Sequence, residues 1–147
     1  MALENTTREP DGESVPISLL HRRDVTPDRD TPCLIYGYGA YGLSIPAAFG
    51  TNRLSLVDRG FVYAIAHVRG GADKGWGWYL DGKRDRKTNT FDDFAAAARA
   101  LIDGRYTSAK RIVGHGGSAG GMLMGAVANR AGHLFAGIVS EIGRAHV

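Results

Sequence analysis

Two kinds of apolar pattern alternate along the chain between Val15 and Ser140. Val15-Pro-Ile-Ser-Leu-Leu20 alternates apolar and polar positions and predicts a half-buried strand, with Pro16 placing it at a sheet edge. Cys33-Leu-Ile-Tyr36 and Phe61-Val-Tyr-Ala-Ile-Ala66 are nearly continuous apolar runs, the pattern of strands covered on both faces. Further strands are predicted at Arg111-Ile-Val113 and at 135–140. Helical spacing fills the intervals. A short helix is predicted from Arg53 to Asp58, stopping at Gly60 as a natural C-cap. Phe91, Phe94, Ala95, Ala98, Leu101 and Ile102 mark the buried stripe of a longer helix, opened by a capping box over Thr90–Asp93 and ended by Gly104. A third helix, 119–130, has Met122, Leu123, Ala126 and Val127 on one face. Strands and helices alternating at these lengths predict an α/β fold with a doubly wound, mostly parallel sheet.

The junction between the strand at 111–113 and the helix at 119–130 carries the chemistry. It reads Gly116-Gly-Ser118-Ala-Gly-Gly121, a G-x-S-x-G between strand and helix, which is the nucleophile elbow of α/β-hydrolases. The turn is so sharp that side chains at 116 and 120 would collide with neighbouring backbone. Ser118 is held in a strained conformation that lifts its hydroxyl clear of the sheet. The helix behind it aims N–H groups and the positive end of its dipole at the same place, which suits a developing oxyanion. With 21 glycines in 147 residues, a bare match to this pattern would be weaker evidence. The flanking strand and apolar helix decide for the elbow.

Composition narrows the remaining classes. At 44% hydrophobic content the chain has material for one ordinary core. The net charge of +3 is scattered, and the one basic cluster, Lys83-Arg84-Asp85-Arg86-Lys87, reads as a solvated loop rather than a nucleic-acid surface. A single cysteine, Cys33, excludes an internal disulfide and a multi-cysteine zinc site, and its apolar neighbours predict burial. No apolar stretch reaches bilayer length, and residues 1–30 contain no signal-peptide core. The expectation is a soluble, cytoplasmic protein without nucleic-acid or membrane partners.

Other polar residues offer less. In α/β-hydrolases the acid and histidine follow the serine, and only His133, Glu141 and His146 do so here. Glu141 and His146 are too close in sequence for the intervening element that carries a histidine back over the serine. His21, His67 and His115 precede it, and His67, ending a strand, is expected to make structural hydrogen bonds. Asp92 and Asp93 are assigned to helix capping. The loop Tyr36-Gly-Tyr-Gly-Ala-Tyr41 should border the elbow, where a tyrosine hydroxyl can donate a second oxyanion bond; aromatic packing around a turn is the competing reading. A rival from another class is a nucleotide-binding module. Gly37-x-Gly39-x-x-Gly42 matches the dinucleotide fingerprint but lacks a following helix. Gly114-x-Gly116-x-x-Ala119, with Glu141 at the ribose-binding distance, fits that fingerprint better.

Several stretches together resemble the catalytic domain of prolyl oligopeptidase family serine peptidases, within it the oligopeptidase B branch. They are 34–42, 53–61, Ala66-His-Val-Arg-Gly-Gly71, Trp78-Tyr-Leu-Asp-Gly-Lys83, Asn89-Thr-Phe-Asp-Asp-Phe94 and 116–125, within a likeness running from about residue 6 to residue 140. The resemblance implies that Ser118 is the nucleophile, that the Ala119 backbone N–H is one oxyanion donor, and that the Tyr38 hydroxyl is the other. It implies an oligopeptide substrate cleaved after lysine or arginine, no metal or cofactor, an upstream β-propeller that screens substrates by size, and a triad aspartate and histidine downstream of residue 147. A same-fold esterase or acylaminoacyl peptidase is the alternative within that architecture. Many members of the branch carry two acids where Pro46 and Ala48 stand here, which puts a dibasic preference in doubt. The stretch after Glu141 departs from the family pattern and reads like a translated sequencing adapter. Residues 1–141 are therefore read as a partial α/β-hydrolase domain, inactive alone, and residues 142–147 as a non-native tail.

Overall fold

The computed structural model describes residues 2–8, by their backbone, and residues 11–141 in full. Strands β1 (Ala2–Arg8), β2 (Ser14–Leu20) and β3 (Cys33–Tyr36) are followed by helix α1 (Thr51–Asp58) and strand β4 (Val62–Ala66). Then come α2 (Trp76–Leu80), a 3-10 turn (Arg84–Arg86), α3 (Thr88–Asp103), β5 (Ile112–Gly117), α4 (Ala119–Ala131), a second 3-10 turn (Gly132–Leu134) and β6 (Gly137–Glu141). One six-stranded sheet results, in the order β1-β2-β4-β3-β5-β6. Strands β4, β3, β5 and β6 are mutually parallel, and β2 runs antiparallel to both β1 and β4.

This order places the site. From β3 the chain passes through α1 to β4 on one side; from β4 it returns through α3, past β3, to β5 on the other. Right-handed crossovers in opposite directions put their helices on opposite faces of a sheet. The side chains alternate accordingly. Cys33, Ile35, Val62, Ala64 and Ile112 pack with Phe94, Leu101, Leu123 and Val127 of α3 and α4. Leu34, Tyr36, Tyr63 and Ile65 face Val57 and Leu56 of α1. The β3/β5 boundary is thus the topological switch point, the crevice where open α/β sheets bind ligands at strand C-termini. Both the tyrosine-rich loop after β3 and Ser118 after β5 emerge there.

Three local expectations change. β2 is not an edge, because β1 covers its outer side. Pro16 is tolerated because it lies one residue beyond the Ile17–Ala66 register position, where its carbonyl accepts the His67 N–H at 3.0 Å. The capping box at Thr90–Asp93 does not form. Helix α3 begins at Thr88 after Lys87, leaving Thr90 and Asp93 fully buried inside it with their polar atoms turned towards residue 69. In α4 the buried face is Gly120, Leu123, Met124, Val127 and Ala131, while Met122 is 54% exposed. Cys33 is buried as expected, and burial pushes its thiol pKa up to about 12. The tail at 142–147 lies outside the described residues.

Candidate active site

Ser118 is the single residue between β5 and α4, and its backbone is strained, at φ 54° and ψ −119°. Non-glycine residues rarely adopt positive φ, and such strain clusters at functional sites. The neighbourhood imposes it by leaving no room. A Cβ on Gly116 would fall on the Gly120 carbonyl, and one on Gly120 would lie 2.7 Å from the Gly37 carbonyl oxygen. The elbow and the β3 loop therefore touch through bare backbone, reinforced by the Gly37 N–H donating to the His115 carbonyl at 3.1 Å. That contact brings the Tyr38 backbone beside the first turn of α4. The buried Ala119 opens this helix.

Ser118 borders a cavity of about 500 Å³, walled by Tyr41, Tyr79, Lys83, Lys87 and Met122 among others. The basic cluster is thus only partly a solvated loop. Residues 84–86 are exposed, but Lys83 and Lys87 at its two ends are half-buried against the cavity. The Lys83 ammonium sits 4.5 Å from the centre of the Tyr79 ring, a cation–π contact. Lys87 Nζ donates to the Gly39 carbonyl, and burial lowers its pKa from 10.5 to about 8.

Among the described residues, no side chain hydrogen-bonds the Ser118 hydroxyl, and the histidines are engaged elsewhere or remote. His67 bridges Ser18 (2.8 Å) and Asp73 (3.0 Å), the structural role expected of it. His115 pairs with Glu141 at 3.0 Å and stands edge-on to the Tyr36 ring. His133 is exposed, and His146 lies outside the described residues. The nucleotide-binding alternative fails on geometry. Gly114 and Gly116 lie within β5 rather than in a loop after it, and only Ser118 separates strand from helix. Glu141 is committed to His115 rather than to a ribose position. Among the described residues there is no cluster of histidine, cysteine or carboxylate groups able to hold a metal ion.

One feature escaped the sequence reading altogether. Arg69 and Asp93 form a buried ion pair beneath the site, with Arg69 Nη2 2.5 Å and Nε 3.0 Å from Asp93 Oδ1. The Arg69 backbone N–H also donates to Asp93 Oδ2 at 2.7 Å, while Arg69 Nη1 reaches Asp11 at 2.5 Å. Burial opposes the charge on Arg69, but its bonds to Asp93 and Asp11 outweigh it and raise its pKa. Burial pushes the Asp93 carboxyl up, and the bonds from Arg69 offset part of that rise. Thr90 Oγ1 completes the floor by donating to the Arg69 carbonyl at 2.7 Å. In sequence, the spacing of Thr90 and Asp93 looks alike in a capping box and in this buried pair, which is why Asp93 reads there as a cap. Asp92, next to it, pairs instead with Arg130 at 2.7 Å.

With this geometry in view, the comparisons with known proteins are decisive. The sequence matches the prolyl oligopeptidase family over residues 47–147. The chain belongs to that family. It is 47% identical over 131 residues to Protease 2 of Moraxella lacunata, covering 89% of this chain and 19% of that protein. It is 48% identical over 122 residues to dipeptidyl aminopeptidase BI of Pseudoxanthomonas mexicana, covering 82% of this chain and 17% of that protein. The fold superposes on oligopeptidase B of Trypanosoma brucei, solved with covalently bound antipain, with a TM-score of 0.91 and 42% identity over 94% of this chain and 20% of that one. The chain therefore spans about a fifth of the length of these relatives. As a prolyl oligopeptidase family domain it carries the α/β-hydrolase sheet and elbow. Pro46 and Ala48 are exposed, and the Ala48 carbonyl accepts from Arg53 at 2.5 Å. Among the described residues, no helix is long and apolar enough to cross a membrane.

Proposed function

We propose that this chain carries the nucleophile half of a serine peptidase that hydrolyses oligopeptides after lysine or arginine. Ser118 attacks the scissile carbonyl carbon, forming a tetrahedral intermediate whose oxyanion is held by the Ala119 N–H and the Tyr38 hydroxyl. The Ser118 proton passes to a base outside the described residues, which returns it to the amine of the C-terminal product as the intermediate collapses; the acyl ester left on Ser118 is then hydrolysed by water. The observation that carries this reading is the strained Ser118 backbone between β5 and α4, at the switch point and facing a cavity of peptide size. The covalent binding of antipain by the trypanosomal relative supports a nucleophilic side chain at the site. The base and the acid that orients it are assigned to chain beyond the described residues. Residues 1–147 alone are accordingly expected to show no measurable cleavage of an arginyl amide, because a neutral serine hydroxyl without an adjacent base is a poor nucleophile.

The test is Ser118→Ala in the full-length protein. Turnover of an arginyl-amide substrate should fall by about 10⁶-fold, as for other triad nucleophiles, and fluorophosphonate labelling should vanish. Near-normal turnover would end the serine-peptidase reading. A panel of arginyl, prolyl and acyl-ester substrates, with and without a free N-terminal dipeptide, then ranks the lysine/arginine assignment against the esterase, acylaminoacyl-peptidase and dipeptidyl-peptidase alternatives.

A further inference from the structure

Lys87 is the one strongly perturbed cation at the cavity, and its surroundings give it a job. It stands between the 3-10 turn and the first residue of α3, with helical backbone (φ −62°, ψ −25°), so the rigid α3 sets where its stem begins. Among the described residues no carboxylate pairs with it; its ammonium donates instead to the carbonyl of Gly39. A half-buried ammonium with no counter-ion is costly to hold, which its depressed pKa records.

Gly39 is the residue directly after Tyr38. Its φ of +67° lies in the left-handed region, and a Cβ there would run into Thr90 Cγ2 and come within 2.8 Å of Val68 Cγ2. Only glycine fits, and glycine brings the softest backbone in the loop. Its carbonyl packs directly against Gly70, and further along the Gly42 N–H donates to the Gly70 carbonyl at 2.9 Å. The loop thus rests on residues 69 and 70, whose own position is fixed by Asp93 and Thr90 of α3. A charge-assisted bond from Lys87 restrains the peptide plane between Gly39 and Ala40, one residue beyond Tyr38, and such bonds are about twice as strong as neutral ones.

We propose that Lys87 is a positioning residue for the reaction: bonded to the Gly39 carbonyl, it holds the loop 37–42 in the conformation that presents the Tyr38 hydroxyl to the oxyanion. This rests on the reading of Tyr38 as an oxyanion donor. Lys87 acts on turnover through Tyr38.

The experiment is a double-mutant cycle in the full-length protein with Lys87→Met and Tyr38→Phe, measuring kcat and KM separately on one arginyl amide. Rates are normalised to sites titrated with fluorophosphonate, so that unfolded enzyme does not count. Tyr38→Phe alone should lower kcat by about 10²–10³-fold. Lys87→Met should lower kcat by about tenfold with KM changed less than about twofold, and that loss should shrink to less than about twofold in the Tyr38→Phe background, because coupled residues are not additive. Lys87→Arg, which keeps a cationic donor, should restore most of kcat. If Lys87→Met yields no folded enzyme, Lys87→Gln takes its place with the same expectations. Additive losses, or a rise in KM at constant kcat, would overturn the positioning role while leaving Tyr38 as a donor. A Tyr38→Phe variant with unchanged kcat would overturn the Tyr38 reading and the role of Lys87 with it.

Discussion

The two strand ends that meet at the switch point are built by opposite means. At the end of β5, Ser118 is fixed by emptiness: the absence of side chains at Gly116 and Gly120 lets backbone press on backbone. At the end of β3, the loop 37–42 is fixed by polar bonds from far along the chain. Asp93 and Thr90 hold residue 69, and Lys87 holds Gly39. The first construction resists change because there is nowhere for an added atom to go. The second depends on each buried donor keeping its acceptor, since an orphaned buried charge is among the most destabilising defects a fold can carry.

The largest effect on this comparison should come from Asp93→Ala in the full-length protein. Removing one partner of a buried ion pair costs about 3–5 kcal/mol, because the Arg69 guanidinium stays behind with only the half-exposed Asp11 as counter-ion. The Arg69 backbone N–H loses its acceptor as well. Asp93→Asn should cost less, since an amide oxygen still accepts from that N–H. Urea denaturation of both variants checks the order. If Asp93→Ala unfolded at the parental midpoint, the floor of the β3 loop would not depend on this pair.

The elbow gives a smaller effect with a built-in control. Gly120→Ala forces a methyl to 2.7 Å from the Gly37 carbonyl oxygen, so the loop 37–42 must move. Overpacking of this kind costs about 1–3 kcal/mol, and turnover should fall because the elbow and the loop bearing Tyr38 separate. Gly125→Ala, in the same helix, places its methyl in open space and should stabilise by about 0.5–1 kcal/mol through the better helix propensity of alanine. If both substitutions had the same sign, close backbone approach would not be what holds the elbow.

The same contrast explains what could be read from sequence. The elbow was legible because its requirement is local: small residues at fixed offsets from one serine, between a strand and an apolar helix. The doubly wound sheet was legible for a related reason, since the β-branched runs and the stripe of Phe94, Ala98 and Leu101 show their period within one element. What escaped depends on partners distant in sequence. Arg69 and Asp93 are 24 residues apart, and nothing in either neighbourhood announces the other. Thr90 and Asp93 were mistaken for a cap because their spacing is the same whether they face a helix end or a buried arginine. β1 was missed because Ala2–Arg8 is strongly polar, and it joins the sheet by pairing with β2 rather than by apolar pattern. Met122 was placed in the core because helical spacing fixes which residues share a face, not which face the site leaves open.

The smallest effect tests the outer end of the polar construction. Asp11 reaches Arg69 from the turn between β1 and β2, but its side chain is 45% exposed. Water competes for such a pair, and exposed ion pairs are worth about 0–1 kcal/mol. Asp11→Asn should therefore destabilise by no more than about 1 kcal/mol at pH 7, well below Asp93→Ala on the same arginine. The bond from Arg69 holds the Asp11 carboxyl below its ordinary value of 3.8. A carboxylate depressed on folding contributes its stability above its unfolded pKa and loses it as pH falls through the folded value. The small gap between parent and Asp11→Asn should accordingly be full at pH 7, close as the pH drops below 3.8, and narrow with added salt. A gap as large as that of Asp93→Ala would mean that Arg69 is anchored from the β1–β2 turn rather than from α3. The two ends of the polar construction would then have to be reversed.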